Sequence, residues 1–314
     1  MSDAPAPPKP PSGQPLVTAI LVCWNHARFV RKAVESVFAQ TYQNVELIVF
    51  DNGSTDGSRE ELQRLRSEYE FVLVCQENVG LVRALNKGLA LSRGKYVACL
   101  STDDIWLPEK TAIQVDFLER HPDVHLVAGQ IESIDADGNL SAVPTVKRWG
   151  EPTFAELMTS GNYVPGPTTM CRVATLKAFG GYDESIRIED YSLVLKLTHL
   201  GMRVVVLPDS LTLYRFHGSN WSAKSLESEL LEVGAPYRNE PEYRAFYRYH
   251  FPLTFWRLAK DGCKREAWRL LLSEPVPCTW ANLGRGLIRM VIPFFLVKLA
   301  RQLRTGLGSG AKPR

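Results

Sequence analysis

Within the first 104 residues, four short apolar runs alternate with helix-patterned segments. No other feature constrains the fold as strongly. Leu16–Val22, bounded by Pro15 and Asn25, is rich in β-formers and predicts a buried strand. Arg28–Gln40 sets Val30, Ala33, Val34, Val37 and Phe38 at helical spacing. Val45–Phe50 predicts a second strand ending at Asp51-Asn52-Gly53-Ser54, with a helix following through Ser67. Phe71–Cys75 predicts a third strand, Leu81–Leu91 a helix and Tyr96–Leu100 a fourth strand. Short strand–helix connections imply a parallel sheet covered on both faces. Such sheets bind ligands beyond the carboxyl ends of their strands. Asn25, Asp51 and Thr102-Asp103-Asp104 therefore become candidates for one shared site.

Beyond this half, Pro108–Arg120 predicts a helix and Val124–Ile134 a strand leading into the turn Asp137-Gly138. Thr168–Val173 predicts a strand, Ala174–Phe179 a short helix stopped by Gly180-Gly181, and Asp190–His199 a helix stopped by Gly201. Arg203–Leu207 predicts another strand, and the chain is helical and aromatic from about Leu226. Six prolines in residues 1–15 predict a disordered, extended lead-in.

The formal net charge of +3 is far from that of a general nucleic-acid binder. It conceals a split, with +8 on Lys264–Arg314 and −5 on the preceding residues. The apolar run Met290–Val297, flanked by Arg285, Arg289, Lys298, Arg301 and Arg304, is too short to span a bilayer. Residues 285–304 suit a basic amphipathic helix on anionic lipid, or equally a helix packed on the body with solvated arginines. Cys23, Cys75 and Cys99 fall in strand-like runs and are expected to be small core residues in a reducing compartment.

Taken singly, each candidate has a bland explanation. Asp103-Asp104 suits a hard divalent cation, or merely a loop and helix cap before Pro108. Asp51 suits a base or ribose contact, or an Asx turn. Glu189-Asp190 favours a helix N-terminus without any chemistry, and a lone His217 is more often structural.

Their order is informative. Val17–Asn25, Glu35–Tyr42, Glu46–Gly57, Asn78–Gly88, Gly94–Asp104, Phe179–Glu184 and Glu189–Tyr191 together resemble glycosyltransferase family 2. These are inverting enzymes of the GT-A fold. The resemblance covers about residues 16–220. It implies an α/β protein with a Rossmann-like, mostly parallel mixed sheet flanked by helices. The lead-in is then 1–15 and the catalytic domain 16–220, with a nucleotide half of about 16–104 and an acceptor half of about 105–220. Residues 221–314 form a helical C-terminal region.

The resemblance implies a nucleotide-sugar donor, UDP- or dTDP-linked, and a glycan or lipid-linked glycan acceptor of a bacterial surface polysaccharide such as O-antigen. It implies a cytoplasmic location, peripheral on the inner membrane face if 285–304 binds lipid. It places Asn25, Asp51 and Arg83 at the nucleotide and Asp103 at ribose or metal. Asp104, assisted by His217, would hold Mn²⁺ or Mg²⁺ against the diphosphate. Asp190 resembles the general base, supported by Glu189. The chain departs from the family where Ser101 and Asn52 stand at frequent Asp positions, which implies weaker metal binding. Loops around Trp106, Trp149–Tyr163 and Trp221 are expected to select sugars. A non-catalytic carbohydrate-binding scaffold and a sugar-nucleotide pyrophosphorylase are the competing classes. The second would need a Gly-rich loop where Cys23-Trp24-Asn25-His26 stands.

Overall fold

The computed structural model describes residues 13–141, 145, 147–217, 227–260 and 263–273. Trp221, the tract 285–304 and most of the Pro-rich lead-in lie outside the described residues. The chain divides into two compact units, Met1–Asn220 and Trp221–Arg314.

The first unit is built on one eight-stranded sheet of order β3-β2-β1-β4-β7-β6-β8-β5. β1 (Val17–Cys23) is buried throughout, as its unbroken apolar run requires. It pairs in parallel with β2 (Val45–Asn52) and β4 (Tyr96–Ser101), and β2 pairs in parallel with β3 (Val72–Gln76). α1 (Val30–Phe38), α2 (Ser58–Glu68) and α3 (Leu81–Leu91) make the crossovers. The register sets Cys23 beside Asp51 and Val22 beside Ser101. The polar segments after β1, β2 and β4 thus leave from one edge. As an edge strand, β3 leaves Val72 half-exposed and Cys75 exposed, so Cys75 is not the core residue its apolar run predicts.

The second half of the sheet is mixed. β7 (Met170–Arg172) runs antiparallel between β4 and β6 (Val124–Ile134). β8 (Arg203–Arg215) runs parallel to β6 and extends eight residues past the predicted strand end at Leu207. A register shift between Ala128 and Gln130 absorbs Pro208, which cannot donate to a regular ladder. Gly129 permits the bulge, because a Cβ there would sit 2.7 Å from the Asp209 carbonyl oxygen. The extension matters for the site. β5 (Ile105–Trp106) pairs antiparallel with its far end, Ile105 against Leu213. This lays Asp103-Asp104 alongside Arg215–His217.

Under that edge, α4 (Lys110–Arg120) begins with a completely buried lysine. The Lys110 ammonium lies 4.2 Å from the Trp106 ring centroid and donates to Gln114 Oε1 at 2.6 Å. Burial lowers its pKa to about 7. Trp106 is 2% exposed and belongs to the core, which removes it from the expected sugar-selecting aromatics. α5 (Phe154–Ser160) opens on a capping box between Thr153 and Glu156. α6 (Val173–Ala178) and α7 (Glu189–His199) complete the unit.

The second unit holds α8 (Glu227–Gly234), α9 (Tyr243–Lys260) and α10 (Lys264–Ser273). Val233, Phe246, Phe251 and Phe255 are among its buried core. Among the described residues, no helix is long and apolar enough to cross a membrane.

Candidate active site

The loops after β1 and β2 are knitted together. Asn25 has φ of 59° and accepts the Thr55 N–H at 2.8 Å, while its own N–H donates to Ser54 at 3.0 Å. The left-handed backbone suits an asparagine. Asp51 is fully buried. It accepts the Arg59 guanidinium at 2.7 Å and the Ser54 N–H at 3.2 Å. Asn52 accepts the Val79 N–H at 3.2 Å and donates to Asn78 at 3.2 Å, tying in the next loop. A carboxylate could not make that donation, which accounts for an amide at this position.

At the β4 end the two adjacent aspartates separate. Asp103 Oδ2 lies 3.1 Å from His217 Nε2 and 4.0 Å from His26 Nε2, and its other oxygen accepts the Ser101 hydroxyl. His26 also contacts Thr102 Oγ1 at 2.8 Å, and burial lowers its pKa, favouring neutral imidazole. The expectation placed Asp104 against the diphosphate. The structure turns it inward, 1% exposed, where Oδ1 accepts the Arg215 backbone N–H at 2.9 Å and Oδ2 has no hydrogen-bond partner among the described residues. Burial, then the Asp103 charge, pushes its pKa well above the carboxylate range. Arg215 Nε donates to the Asp103 carbonyl at 2.8 Å, so β8 fixes this segment from below.

Two ligands about 2.1 Å from one octahedral ion lie about 3 Å apart. The Asp103–His217 separation of 3.1 Å fits that spacing; the carboxylate suits Mn²⁺ or Mg²⁺, and the imidazole nitrogen disfavours the harder, oxygen-preferring Mg²⁺. Among the described residues, no group of three or more His, Cys, Asp or Glu could hold an ion alone. The remaining ligands would have to be water and phosphate oxygens, as is usual for such ions.

The other half of the site is a cleft, open to solvent, whose walls include Leu81, Leu85, Ser101, Tyr182, Glu189 and Asp190. Glu189 and Asp190 open α7, where the helix dipole favours carboxylates. Burial raises both pKa values, and Glu189 is raised further by the Asp190 charge. The Tyr191 N–H, 2.7 Å from Asp190 Oδ1, favours the ionised form of Asp190.

Arg83 is exposed on α3 and donates to Glu184 at 3.2 Å. Beside it stands Asn86, which the candidate set omits. Its side chain donates to the Tyr182 carbonyl at 2.9 Å and to Glu184 at 3.1 Å, and accepts the Tyr182 N–H at 2.8 Å. Gly181, with φ of 96°, lets the loop approach, since its Cβ would sit 3.1 Å from Asn86 Cγ. Gly166 is also absent from the candidates. A Cβ there would collide with the Asp190 carboxylate, 3.0 Å from its Cγ. Asn86 lies within the family-like stretch Asn78–Gly88 and Gly166 in a loop with no such signal, and only their distant partners show what each does.

The family model described as glycosyl transferase family 2 matches residues 18–180, just over half of the chain. An uncharacterized glycosyltransferase of Nostoc sp. is 29% identical over 226 residues, 68% of this chain and 69% of that protein. One from Rickettsia bellii is 35% identical over 125 residues, 40% of this chain but only 18% of its own length. Among solved structures, S. aureus TarS 1–349 in complex with UDP-GlcNAc superposes with a TM-score of 0.65 at 17% identity, covering 88% of this chain and 81% of that one. The mannosyltransferase PcManGT from Pyrobaculum calidifontis, in complex with GDP-Man and Mn²⁺, gives 0.59 at 19% identity, covering 93% and 90%. The sheet order, the clustered strand ends and the matched span agree: the chain is a glycosyltransferase and belongs to family 2, on the GT-A fold.

Proposed function

We propose that the protein transfers a sugar from a nucleotide-sugar donor, UDP- or dTDP-linked, to a hydroxyl of a glycan or lipid-linked glycan, with inversion. One observation carries this reading. Ser101, hydrogen-bonded to Asp103, and the Glu189–Asp190 pair line the same cleft. Ser101 thus links Asp103 to the cleft that the Glu189–Asp190 pair lines.

Asn25, Asp51 and Arg83 would take the nucleoside end, Asp51 acting together with the Arg59 guanidinium that it accepts. Asp103 and His217 would hold a divalent cation, which supplies charge stabilisation to the leaving diphosphate. Asp104 acts from behind: it accepts the Arg215 backbone N–H, and the Arg215 side chain in turn holds the Asp103 carbonyl. Asp190 accepts the proton of the acceptor hydroxyl as its oxygen bonds to the anomeric carbon and the bond to phosphate breaks. Its raised pKa makes it a stronger base than an ordinary carboxylate.

The first test is a hydrolysis and transfer screen of UDP-, dTDP- and GDP-sugars. It is followed by calorimetry of the matching nucleotide with Mn²⁺. Asp103→Asn should weaken metal-dependent nucleotide binding by at least about tenfold, whereas Asp104→Asn should keep it within about threefold. Asp190→Asn should bind nucleotide normally and lose turnover. The reverse order for the two aspartates, or full turnover in Asp190→Asn, refutes the assignment.

A further inference from the structure

The C-terminal unit displays large apolar side chains that its own fold leaves in solvent. On α9, Tyr249 is 65% and Leu253 42% exposed; on α10, Trp268 is 52% and Leu272 81% exposed. Each pair is spaced i,i+4 and so forms a continuous strip along one helix face. Scattered surface apolars are ordinary, but a paired strip on each of two successive helices is not.

The flanks are basic. Arg244 and Arg248 accompany the α9 strip, and Arg265 and Arg269 the α10 strip, all exposed. Within the two helices, Lys and Arg number seven against the single acid Glu266. This charge selects among the possible occupants. Residues 274–314 also carry seven Lys and Arg against one acid, so the chain's own tail would bring like charge onto like charge. A second copy docking by the same face would do the same. A surface that is anionic at the headgroup and apolar beneath complements both features. Tyr and Trp are favoured at that boundary, and arginine stems extend along apolar surface while their heads stay wet.

We propose that the exposed α9 and α10 faces are a docking surface for an anionic phospholipid bilayer, with Tyr249, Leu253, Trp268 and Leu272 entering the interfacial layer and the four arginines contacting headgroup phosphates. Binding is peripheral, of the kind expected for a basic amphipathic surface. It is independent of the donor and acceptor assignments above.

The test is flotation of the full-length protein with phosphatidylcholine vesicles, with and without phosphatidylglycerol. Wild type should float only with the anionic lipid, and less as salt rises. The variant Tyr249→Ser/Leu253→Ser/Trp268→Ser/Leu272→Ser should bind at least about tenfold more weakly, as should Arg244→Gln/Arg248→Gln/Arg265→Gln/Arg269→Gln. Both should keep the wild-type unfolding midpoint. The proposal is overturned if wild type ignores anionic vesicles or if either variant floats as well as wild type. It is also overturned if wild type is a concentration-dependent oligomer that the Ser variant dissociates, or if an RNA competitor binds this face and the vesicles do not.

Discussion

Gly166→Ala places one methyl group against the proposed base. Gly166 opens a short 3-10 turn and is outside the left-handed region, so alanine adopts its backbone without strain. The Cβ has no room, however. It would lie 3.0 Å from Asp190 Cγ and 3.1 Å from Asp190 Cβ, with the carboxylate oxygen closer still. That oxygen would have to retreat by about 1 Å to reach ordinary contact. Displacing a reacting group by about 1 Å costs roughly a hundredfold in rate, or about 2.7 kcal/mol of transition-state stabilisation. Overpacking at a half-buried cleft wall should cost only about 1 kcal/mol of stability. The expected pattern is a kcat about a hundredfold lower, unchanged nucleotide affinity by calorimetry and a small drop in unfolding midpoint. The double variant Gly166→Ala/Asp190→Asn isolates the cause. If alanine acts through Asp190, the double variant is no slower than Asp190→Asn alone. Full turnover in Gly166→Ala, or a further hundredfold loss in the double variant, refutes the reasoning.

Three more perturbations follow from the same geometry. Asn86→Asp keeps the acceptor for the Tyr182 N–H but loses both donations and faces the Glu184 carboxylate. At about 1 kcal/mol per hydrogen bond, losing both donations should cost roughly 2 kcal/mol of stability, read as a lower unfolding midpoint, and Glu184→Gln should restore part of the loss; an unchanged midpoint would contradict it. Glu189 has a folded pKa above its unfolded value, so wild type loses stability as pH rises from the ordinary carboxylate range through the raised value. Glu189→Gln should therefore gain more in unfolding midpoint at about pH 8 than at about pH 5, and an equal shift at both would remove the burial argument. Lys110 titrates the other way. Its folded pKa lies near 7 against an ordinary 10.5, so the unfolded chain binds the proton more tightly and wild-type stability climbs with pH across that window. Lys110→Met should help most at about pH 6 and least at about pH 9, measured by thermal unfolding.

The first 104 residues are the part most legible in the amino-acid sequence, for a physical reason. β1, β2 and β4 are buried on both faces, so their apolar runs are continuous, and parallel pairing brings their ends to one edge whatever the fine register. The other half resists because its signals are interrupted. Pro208-Asp209 looks like a turn, and the strand continues only because Gly129 on the partner makes space for a bulge. Lys110 carries a charge that surface statistics assign to solvent, while the fold gives it Trp106 and Gln114 instead. Cys75 shows the converse, an apolar run that lies on an edge strand.

The sharpest case is the pair Asp103-Asp104. Composition and spacing make them equivalent, and nothing local decides which carboxylate faces a donor. β5 starts at the very next residue, and its antiparallel pairing sets Ile105 opposite Leu213. Asp104 then falls beside the backbone N–H of Arg215, which captures its carboxylate, and Asp103 is left to meet His217 two residues further along. Because adjacent side chains near a strand alternate between faces, a slip of one residue in that pairing would exchange their roles. Which aspartate is offered to the proposed cation is thus set by a strand more than a hundred residues away, and a change that shifts the β5–β8 register should disrupt the Asp103–His217 pair without touching Asp103.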